Sequence, residues 1–157
     1  MNAFLHDAMH GKLPTRVVAA EDLPWIPAST PGKWAKPLRF LGERGFVELL
    51  RMAPGTVMPL HRHTGEVHVH QLAGQRQLCT GEILGPGDYV FEPVGHVDWW
   101  KIVGDEDMVA FVVVMGDVEF IGPGGDVLGV ANVQTQRAEY ARWCMEHGEA
   151  MRDLREA

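Results

Sequence analysis

Histidine is concentrated in one short part of the chain. Four of the eight histidines lie within residues 60–71, and a fifth follows at His96. Imidazole nitrogens are good ligands for first-row transition metals. His61 and His63 are separated by one residue, so in a strand both side chains point the same way. Together they would form half of a metal coordination sphere.

A second pair of histidines follows a break in this strand. Residues 64–65 are Thr-Gly, which would let the chain double back. His68 and His70 then share one face of the next segment. The reversal would bring His68 opposite His61 and His63, so His68 is a further candidate ligand.

Another segment supplies two more candidate ligands, His96 and Asp98, directly after a turn at residues 93–95. In an extended chain these two side chains also share a face. By the same alternation Trp100 lies on the face of Asp98, which predicts that Trp100 lines the pocket. Glu66 and Glu92 are predicted to be solvated or turn-facing carboxylates.

Short β-type runs separated by glycine and proline must position these residues. Such runs recur about every ten residues, a pattern typical of a mainly β sandwich or barrel. Residues 109–114 are apolar on both faces, which predicts a strand that is central or has a covered outer face. The predicted strands are residues 45–52, 56–63, 67–72, 75–80, 89–92, 97–103 and 108–115.

The two ends of the chain differ from this middle part. Five of the ten prolines lie before residue 40, which predicts an extended arm. After Gln134, spacings of 4, 3, 4 and 3 residues predict one face of a helix. The expected organisation is an arm at 1–40, a β-barrel at 41–133 and a helix at 134–157. The helix face comprises Tyr140, Cys144, His147, Met151 and Leu154.

Composition excludes several classes of function. The chain has 14 Lys+Arg against 21 Asp+Glu, a formal net charge of −7, which argues against nucleic acid as a partner. The longest apolar stretch, residues 109–115, is too short to cross a bilayer, and the first residues show no secretory signal. Two cysteines do not encode a disulfide framework. We therefore expect a cytoplasmic protein without membrane or nucleic-acid partners.

The histidine-rich segment resembles the first motif of the cupin superfamily. That motif runs Gly, five residues, His-x-His, three or four residues, Glu, and then six residues to a Gly. Gly55, His61 and His63 match it, and Gly74 closes it one residue early. His68 stands at the position of the Glu.

The segment at residues 86–98 resembles the second cupin motif. That motif runs Pro-Gly, five residues, Pro-x-Gly-x-x-His, and Asp98 stands where it has the histidine. The matching residues are Pro86, Gly87, Pro93 and Gly95.

The run of residues 61–65, His-Arg-His-Thr-Gly, narrows the resemblance to the 2,4'-dihydroxyacetophenone dioxygenase-like cupins, to which acetylacetone dioxygenase is related. The likeness covers roughly residues 16–148. It implies a single-domain cupin, a double-stranded β-helix or jelly-roll barrel, with an N-terminal arm and a C-terminal helix. It also implies a homodimer or homotetramer.

The resemblance implies a non-haem Fe(II) dioxygenase that cleaves a carbon–carbon bond in a small dicarbonyl or an aryl α-hydroxyketone, with O₂ as the second substrate. His61, His63 and Asp98 would form a 2-His-1-carboxylate face, the arrangement that suits Fe(II). Zinc, manganese and nickel are the alternative metals. The expected metal ligands are His61, His63, His68 and Asp98, with His96 as the alternative to Asp98. The expected pocket residues are His70, Phe91 and Trp100, with Met52, Met58 and Phe111 also in the interior.

A second hypothesis is a non-catalytic cupin that binds zinc and a small ligand. The sensor cupins that regulate sigma factors share a His-x-His-Thr-Gly run. They usually carry an additional helical module with its own zinc ligands, and no such segment is present in this sequence. This hypothesis predicts tightly held zinc and no O₂ consumption.

Overall fold

Two antiparallel sheets and one helix make up the computed structural model, which describes residues 15–155. Residues 1–14 of the predicted arm lie outside the described residues. A short 3₁₀ turn at Ala20–Asp22 precedes the first strand. The strands and the helix are, in chain order, β1 (Ile26–Pro27), β2 (Lys33–Leu41), β3 (Gly45–Met52), β4 (Val57–His63), β5 (Val67–Ala73), β6 (Gln75–Leu78), β7 (Ile83–Leu84), β8 (Tyr89–Glu92), β9 (Val97–Val103), β10 (Met108–Met115), β11 (Val118–Ile121), β12 (Val127–Ala131) and α1 (Val133–His147).

The chain alternates between the two sheets as it advances. One sheet has the order β1-β2-β3-β10-β5-β8 and the other β12-β11-β4-β9-β6-β7. Short glycine-containing turns carry the chain from β3 to β4, from β4 to β5 and from β5 to β6. This confirms the predicted mainly β jelly-roll with a C-terminal helix. All seven predicted strands are present with ends that agree within two residues.

The core lies between the inner faces of the two sheets. In β10 the residues Met108, Ala110, Val112 and Val114 are buried and alternate with more exposed ones. β10 pairs with β3 on one side and β5 on the other. Its central position in the sheet is one of the two arrangements that the sequence predicted for this apolar run, although Phe111 on its outer face is partly exposed.

The N-terminal part of the chain joins the sheet to a greater extent than the arm prediction implies. β2 is nine residues long and pairs with β3 along its whole length. It contains Pro37, which lacks an N–H for the ladder. A register shift between Pro37 and Arg39 accommodates it, since a bulge is one of the few places where a sheet tolerates proline.

Helix α1 is bounded by clear capping signals. The Asn132 side chain accepts from the Thr135 backbone N–H while the Thr135 side chain accepts from the Asn132 N–H, a capping box. Gly148 ends the helix in the left-handed conformation, with φ 65°. Leu154, predicted on the helix face, lies beyond the helix but is buried. Its carbonyl accepts from the Phe40 N–H at 2.8 Å, so the chain returns to β2.

No helix within residues 15–155 combines the length and the apolar character that a membrane span requires. The predicted association into dimers or tetramers concerns contacts between chains and stays a prediction.

Candidate metal centre

The histidines of β4 converge inside the barrel. His61 and His63 are 3% and 4% exposed, while Arg62 between them faces outward and pairs with Glu119. The two imidazole centroids are 4.9 Å apart and the rings are nearly perpendicular. Strand alternation therefore places both rings in one buried cluster, as the spacing predicted.

His61 is held in a form suited to metal binding. Its Nδ1 lies 2.7 Å from the Pro59 carbonyl oxygen, which fits the tautomer in which Nδ1–H donates and Nε2 carries no proton. Burial lowers the pKa of His61, and the Pro59 hydrogen bond opposes this only in part. The imidazole is thus neutral near pH 7, as a metal ligand must be.

Two buried carboxylates complete the cluster. Asp98 on β9 is the register partner of His61, and Glu92 ends β8; each is 4% exposed. Glu92 Oε2 lies 3.0 Å from His63 Nε2. His96 lies at the rim, with its Nε2 3.7 Å from Asp98 Oδ2. Glu92, His96 and Asp98 can each present one ligand atom within 4.8 Å of the others.

Several polar atoms of this cluster have no hydrogen-bond partner. Among residues 15–155, neither ring nitrogen of His63 nor Asp98 Oδ1 makes a hydrogen bond of acceptable geometry, although all three atoms are buried. Unpaired buried polar atoms cost free energy unless an ion or a water molecule satisfies them. Imidazole nitrogen and carboxylate oxygen are the donor types that first-row divalent metals prefer, so these residues fit a metal ion.

The electrostatics of Glu92 favour its charged form. Burial alone would raise the pKa of this carboxyl, but the proximity of His63, with Arg76 and His61, holds the pKa below its ordinary value. A carboxylate that stays ionised in a buried site is a ligand for a cation rather than an efficient proton acceptor.

A buried arginine lies beside the carboxylates. Arg76 on β6 is 2% exposed, and its guanidinium carbon lies 4.8 Å from the centroid of the Trp100 ring. Its Nε and Nη2 have no hydrogen-bond partner among the described residues. Those two atoms form one edge of the planar guanidinium, the edge that binds a carboxylate or a pair of oxygens in bidentate fashion.

His61, His63, Glu92 and Arg76 line a cavity of about 80 Å³ inside the barrel. Lys33, Glu48 and Gln136 are further polar residues of its lining. The remaining wall is largely apolar, which keeps the dielectric low and strengthens the electrostatic interactions within. The wall includes Leu50, Met58, Val69, Trp100, Met108, Ala110 and Val112.

Three residues predicted for this site lie outside it. His68 and His70 are on the outer face of β5, because Val67, Val69 and Gln71 take the inward positions. The His68 Nδ1 and the Tyr89 hydroxyl oxygen are 2.6 Å apart on that outer face. Phe91 is 50% exposed and packs against His68. The prediction of His68 as a ligand, and of His70 and Phe91 as pocket residues, is corrected accordingly.

The remaining predicted interior residues divide between the two faces. Trp100, Met52 and Met58 are buried on the inner side, whereas Phe111 is partly exposed on the outer side of β10. His96 and Asp98, between which the sequence left a choice, are both at the cluster. Asp98 is buried within it and His96 borders it.

Two functional residues were missed from the sequence. Glu92 was predicted to be a solvated or turn-facing carboxylate, yet Val90 and Glu92 take the inward positions of β8; alternation from Val90 would have revealed this. Arg76 sits between two glutamines, and no sequence pattern marks it. The Cys79 thiol also borders the cluster, and a hydrogen bond to Asp98 raises its pKa.

Comparison with known families gives one match: the model of the ChrR cupin-like domain matches residues 14–119. Comparison with curated proteins gives no match. Among solved structures, the chain is similar to an RmlC-like cupin protein from Ralstonia eutropha. The two share 24% identity over 94% of this chain and 98% of that one, with a TM-score of 0.87.

Two further structures show how varied the functions on this fold are. An acetylacetone dioxygenase from Acinetobacter johnsonii shares 13% identity over 82% of this chain and 91% of that one, with a TM-score of 0.69. The polyketide cyclase RemF from Streptomyces resistomycificus shares 22% identity over 90% and 99%, with a TM-score of 0.55. At these identities the likeness establishes the fold, and function must be argued from the site.

Proposed function

We propose that this chain, which belongs to the ChrR cupin-like domain family, is a metal-dependent dioxygenase that cleaves a carbon–carbon bond in a small dicarbonyl or aryl α-hydroxyketone. The metal would be held by His61, His63, Glu92 and Asp98, with His96 at the rim. Fe(II) is the proposed metal, because two histidines with carboxylate ligands and open positions suit non-haem iron.

One observation carries the proposal: buried imidazole nitrogens and carboxylate oxygens face one another, and several of them have no hydrogen-bond partner among the described residues. His63 Nε2 and Glu92 Oε2 approach to 3.0 Å. A cation or a proton between such atoms stabilises the group. The two carboxylates carry a charge of −2, which a divalent cation neutralises.

When bound, the metal would supply Lewis acidity and redox chemistry toward O₂. The protein groups would hold it and shape the cavity. Pro59 fixes the His61 ring through the Nδ1 contact, and the paired strands β4 and β9 fix Asp98 opposite it. Trp100 and the aliphatic wall would exclude water from the reacting groups.

Arg76 would bind the substrate. The enolate of a dicarbonyl carries one negative charge spread over two oxygens, and Arg76 offers two unpartnered N–H donors on one edge. The Trp100 ring lies against the guanidinium and restrains its plane. An anionic oxygen of the substrate would therefore be the partner that these donors lack.

The resemblance to acetylacetone dioxygenase supports the class of reaction and suggests the probe. Cleavage of a β-diketone into a carboxylic acid and an α-dicarbonyl compound takes up one O₂ without any other oxidant. We would load the metal-free protein with Fe(II) under argon, add acetylacetone or 2,4'-dihydroxyacetophenone, admit O₂, and follow O₂ consumption and the acid formed.

The variants His61→Ala and His68→Ala separate the cluster from the outer face. We expect His61→Ala to abolish O₂ consumption and His68→Ala to retain it, because His68 faces away from the cavity. Equal O₂ consumption in His61→Ala and the unaltered protein would refute His61 as a ligand. Tightly held zinc after purification, with no O₂ consumption after iron loading, would favour the sensor-type cupin instead.

A further inference from the structure

A second, larger cavity of about 530 Å³ lies beside the first. Its walls include β1, the turn between β1 and β2, β2, the end of β12 and helix α1. It shares part of its lining with the cavity at the cluster, which we call the metal cavity, so the two spaces adjoin. We call the shared part of their lining the neck; its residues are Lys33, Glu48, Phe120, Ala131 and Gln136.

The neck is polar where the rest of the inner wall is largely apolar. Glu48 on β3 is 9% exposed, and its Oε2 accepts a hydrogen bond from Gln136 Nε2 of α1 at 3.0 Å. Lys33 on β2 reaches to 4.0 Å from Met58 Sδ and lies 5.9 Å from the Phe120 ring centroid. Three elements, β2, β3 and α1, thus each contribute a hydrogen-bonding side chain to the neck.

The packing of the barrel does not require charged side chains at Lys33 and Glu48. A buried carboxylate and a buried ammonium both lose solvation, and apolar side chains of the same size would fill the positions at less cost. The cost is visible at Glu48, where burial raises the pKa to about 7 against the opposing effects of Lys33 and Gln136. Burial likewise lowers the pKa of Lys33, with Glu48 opposing. Such groups in the shared lining of two cavities suit contact with a polar molecule that passes from one to the other.

We infer that small carbonyl compounds reach the metal cavity through this second cavity, and that the neck is the selective entrance. Lys33 and Gln136 offer donors to a carbonyl oxygen, and the Glu48–Gln136 hydrogen bond closes the passage between β3 and α1. The choice of carbonyl compounds rests on the proposed function; the route does not.

The route is tested by the reactivity of a cysteine placed inside the barrel. Ala110 lines the metal cavity and is 1% exposed, so Ala110→Cys puts a thiol behind the neck. The exposed Cys79 is replaced in the same protein by Cys79→Ser, and this parent without Ala110→Cys gives the background of Cys144. The probe is methyl methanethiosulfonate, and labelling is followed by mass spectrometry.

A tryptophan side chain placed at the neck is compared with a tryptophan side chain placed on the exposed surface of α1. Gln136→Trp should slow labelling of the new thiol at least tenfold, and Gln136→Ala should accelerate it. Gln134→Trp is the matched control, because Gln134 is exposed on the same helix and bonds Glu43 instead. Circular dichroism checks folding, and Val112→Cys replaces Ala110→Cys if that variant does not fold.

Equal labelling rates in Gln136→Trp and Gln134→Trp would overturn the inference, as would no labelling in Gln136→Ala. Neither measurement involves metal or turnover. An inactive protein whose labelling still depends on residue 136 would contradict the proposed function and leave the route supported.

Discussion

Replacement of Asp98 by asparagine tests whether Asp98 is a metal ligand or a carboxylate that stabilises the fold. Asn keeps the shape of the side chain and removes its charge. Asp98 lies with a second carboxylate, Glu92, and their oxygens come within 4.8 Å of each other. Asp98 Oδ1 has no hydrogen-bond partner among residues 15–155. Without metal, Asp98→Asn removes repulsion from Glu92 but also the attraction to Arg76, so we expect the melting temperature of the metal-free variant to stay close to that of the unaltered protein.

With metal bound, we expect the unaltered protein to have the higher melting temperature. Metal at a free concentration of 100 times its Kd stabilises the folded state by about 2.7 kcal/mol. For a chain of this size that corresponds to a rise in melting temperature of roughly 5–10 °C. If loss of the charged ligand weakens binding about 100-fold, the same metal concentration only equals the Kd, and the stabilisation falls to about 0.4 kcal/mol.

Thermal unfolding followed by circular dichroism, with and without Fe(II) under argon, measures both quantities. Asp105→Asn is the control, because Asp105 is exposed in the turn between β9 and β10 and should keep the full metal-induced rise. A metal-induced rise in Asp98→Asn as large as in Asp105→Asn would refute Asp98 as a ligand. A lower melting temperature of the metal-free Asp98→Asn variant would show that its charge stabilises the fold instead.

Two further perturbations test the neck and the turn that follows the His-x-His run. The pKa of Glu48 is about 7 in the folded protein against a reference of 4.5, so the folded state binds the extra proton and stability falls as pH rises from about 4.5 to 7. Relative to Glu48→Gln, the free energy of unfolding of the unaltered protein should fall by about 3 kcal/mol over this window. Urea unfolding of both proteins at pH 5, 6, 7 and 8 measures this difference. A difference that does not change with pH would contradict the prediction. A Cβ added at Gly65 would lie 2.3 Å from the Met115 carbonyl oxygen, whereas one added at Gly85 meets nothing within 4 Å. Gly65→Ala should therefore lower the free energy of unfolding by about 2 kcal/mol or more, and Gly85→Ala by about 0.5 kcal/mol or less, as measured by urea unfolding. Equal urea midpoints would show that the backbone of the turn moves to make room for the added Cβ.

The sequence predicts the barrel strands well because their signals are local. Alternation and glycine turns mark β3, β4, β5, β8, β9 and β10 within two residues. β2 was missed because Pro37 argues against a strand, and only the register shift that the tertiary structure supplies makes it acceptable. β11 and β12 are short and lie on either side of a glycine-rich turn, so they carry little periodic signal.

Within the site, the sequence located the elements but not the inward face of each one. In β4 the two histidines define the inner face by themselves. In β5 the prediction placed His68 inward, but a shift of one residue moves every side chain to the other face. The inward residue is Val67, and only the pairing of β5 with β8 and β10 establishes that.

The placement of Val67 explains how the cluster keeps a carboxylate without the Glu of the cupin motif. Val67 and Glu92 are register partners on β5 and β8, so their side chains lie side by side on the inner face. Glu92 on β8 therefore supplies a carboxylate next to the position on β5 where the cupin motif has its Glu. With Asp98 at the position of the motif's histidine, the cluster then has the two imidazoles of His61 and His63 and two carboxylates.

The charges of the cluster bear on the ligand that the site accepts. A divalent metal offsets Glu92 and Asp98, and the buried guanidinium of Arg76, which stays protonated, then leaves one positive charge. A neutral ligand would leave that charge uncompensated in a cavity of low dielectric, whereas an enolate neutralises it and fills the two free N–H donors. Arg76→Met removes this charge and nearly preserves the volume. On the proposed function, acetylacetone would bind as its enolate, so Arg76→Met should weaken its binding without weakening metal binding, because the carboxylate ligands stay in place; titration of each ligand measures the two affinities separately. Under that proposal the position of Arg76 beside the carboxylates would favour acidic dicarbonyl compounds over neutral ketones.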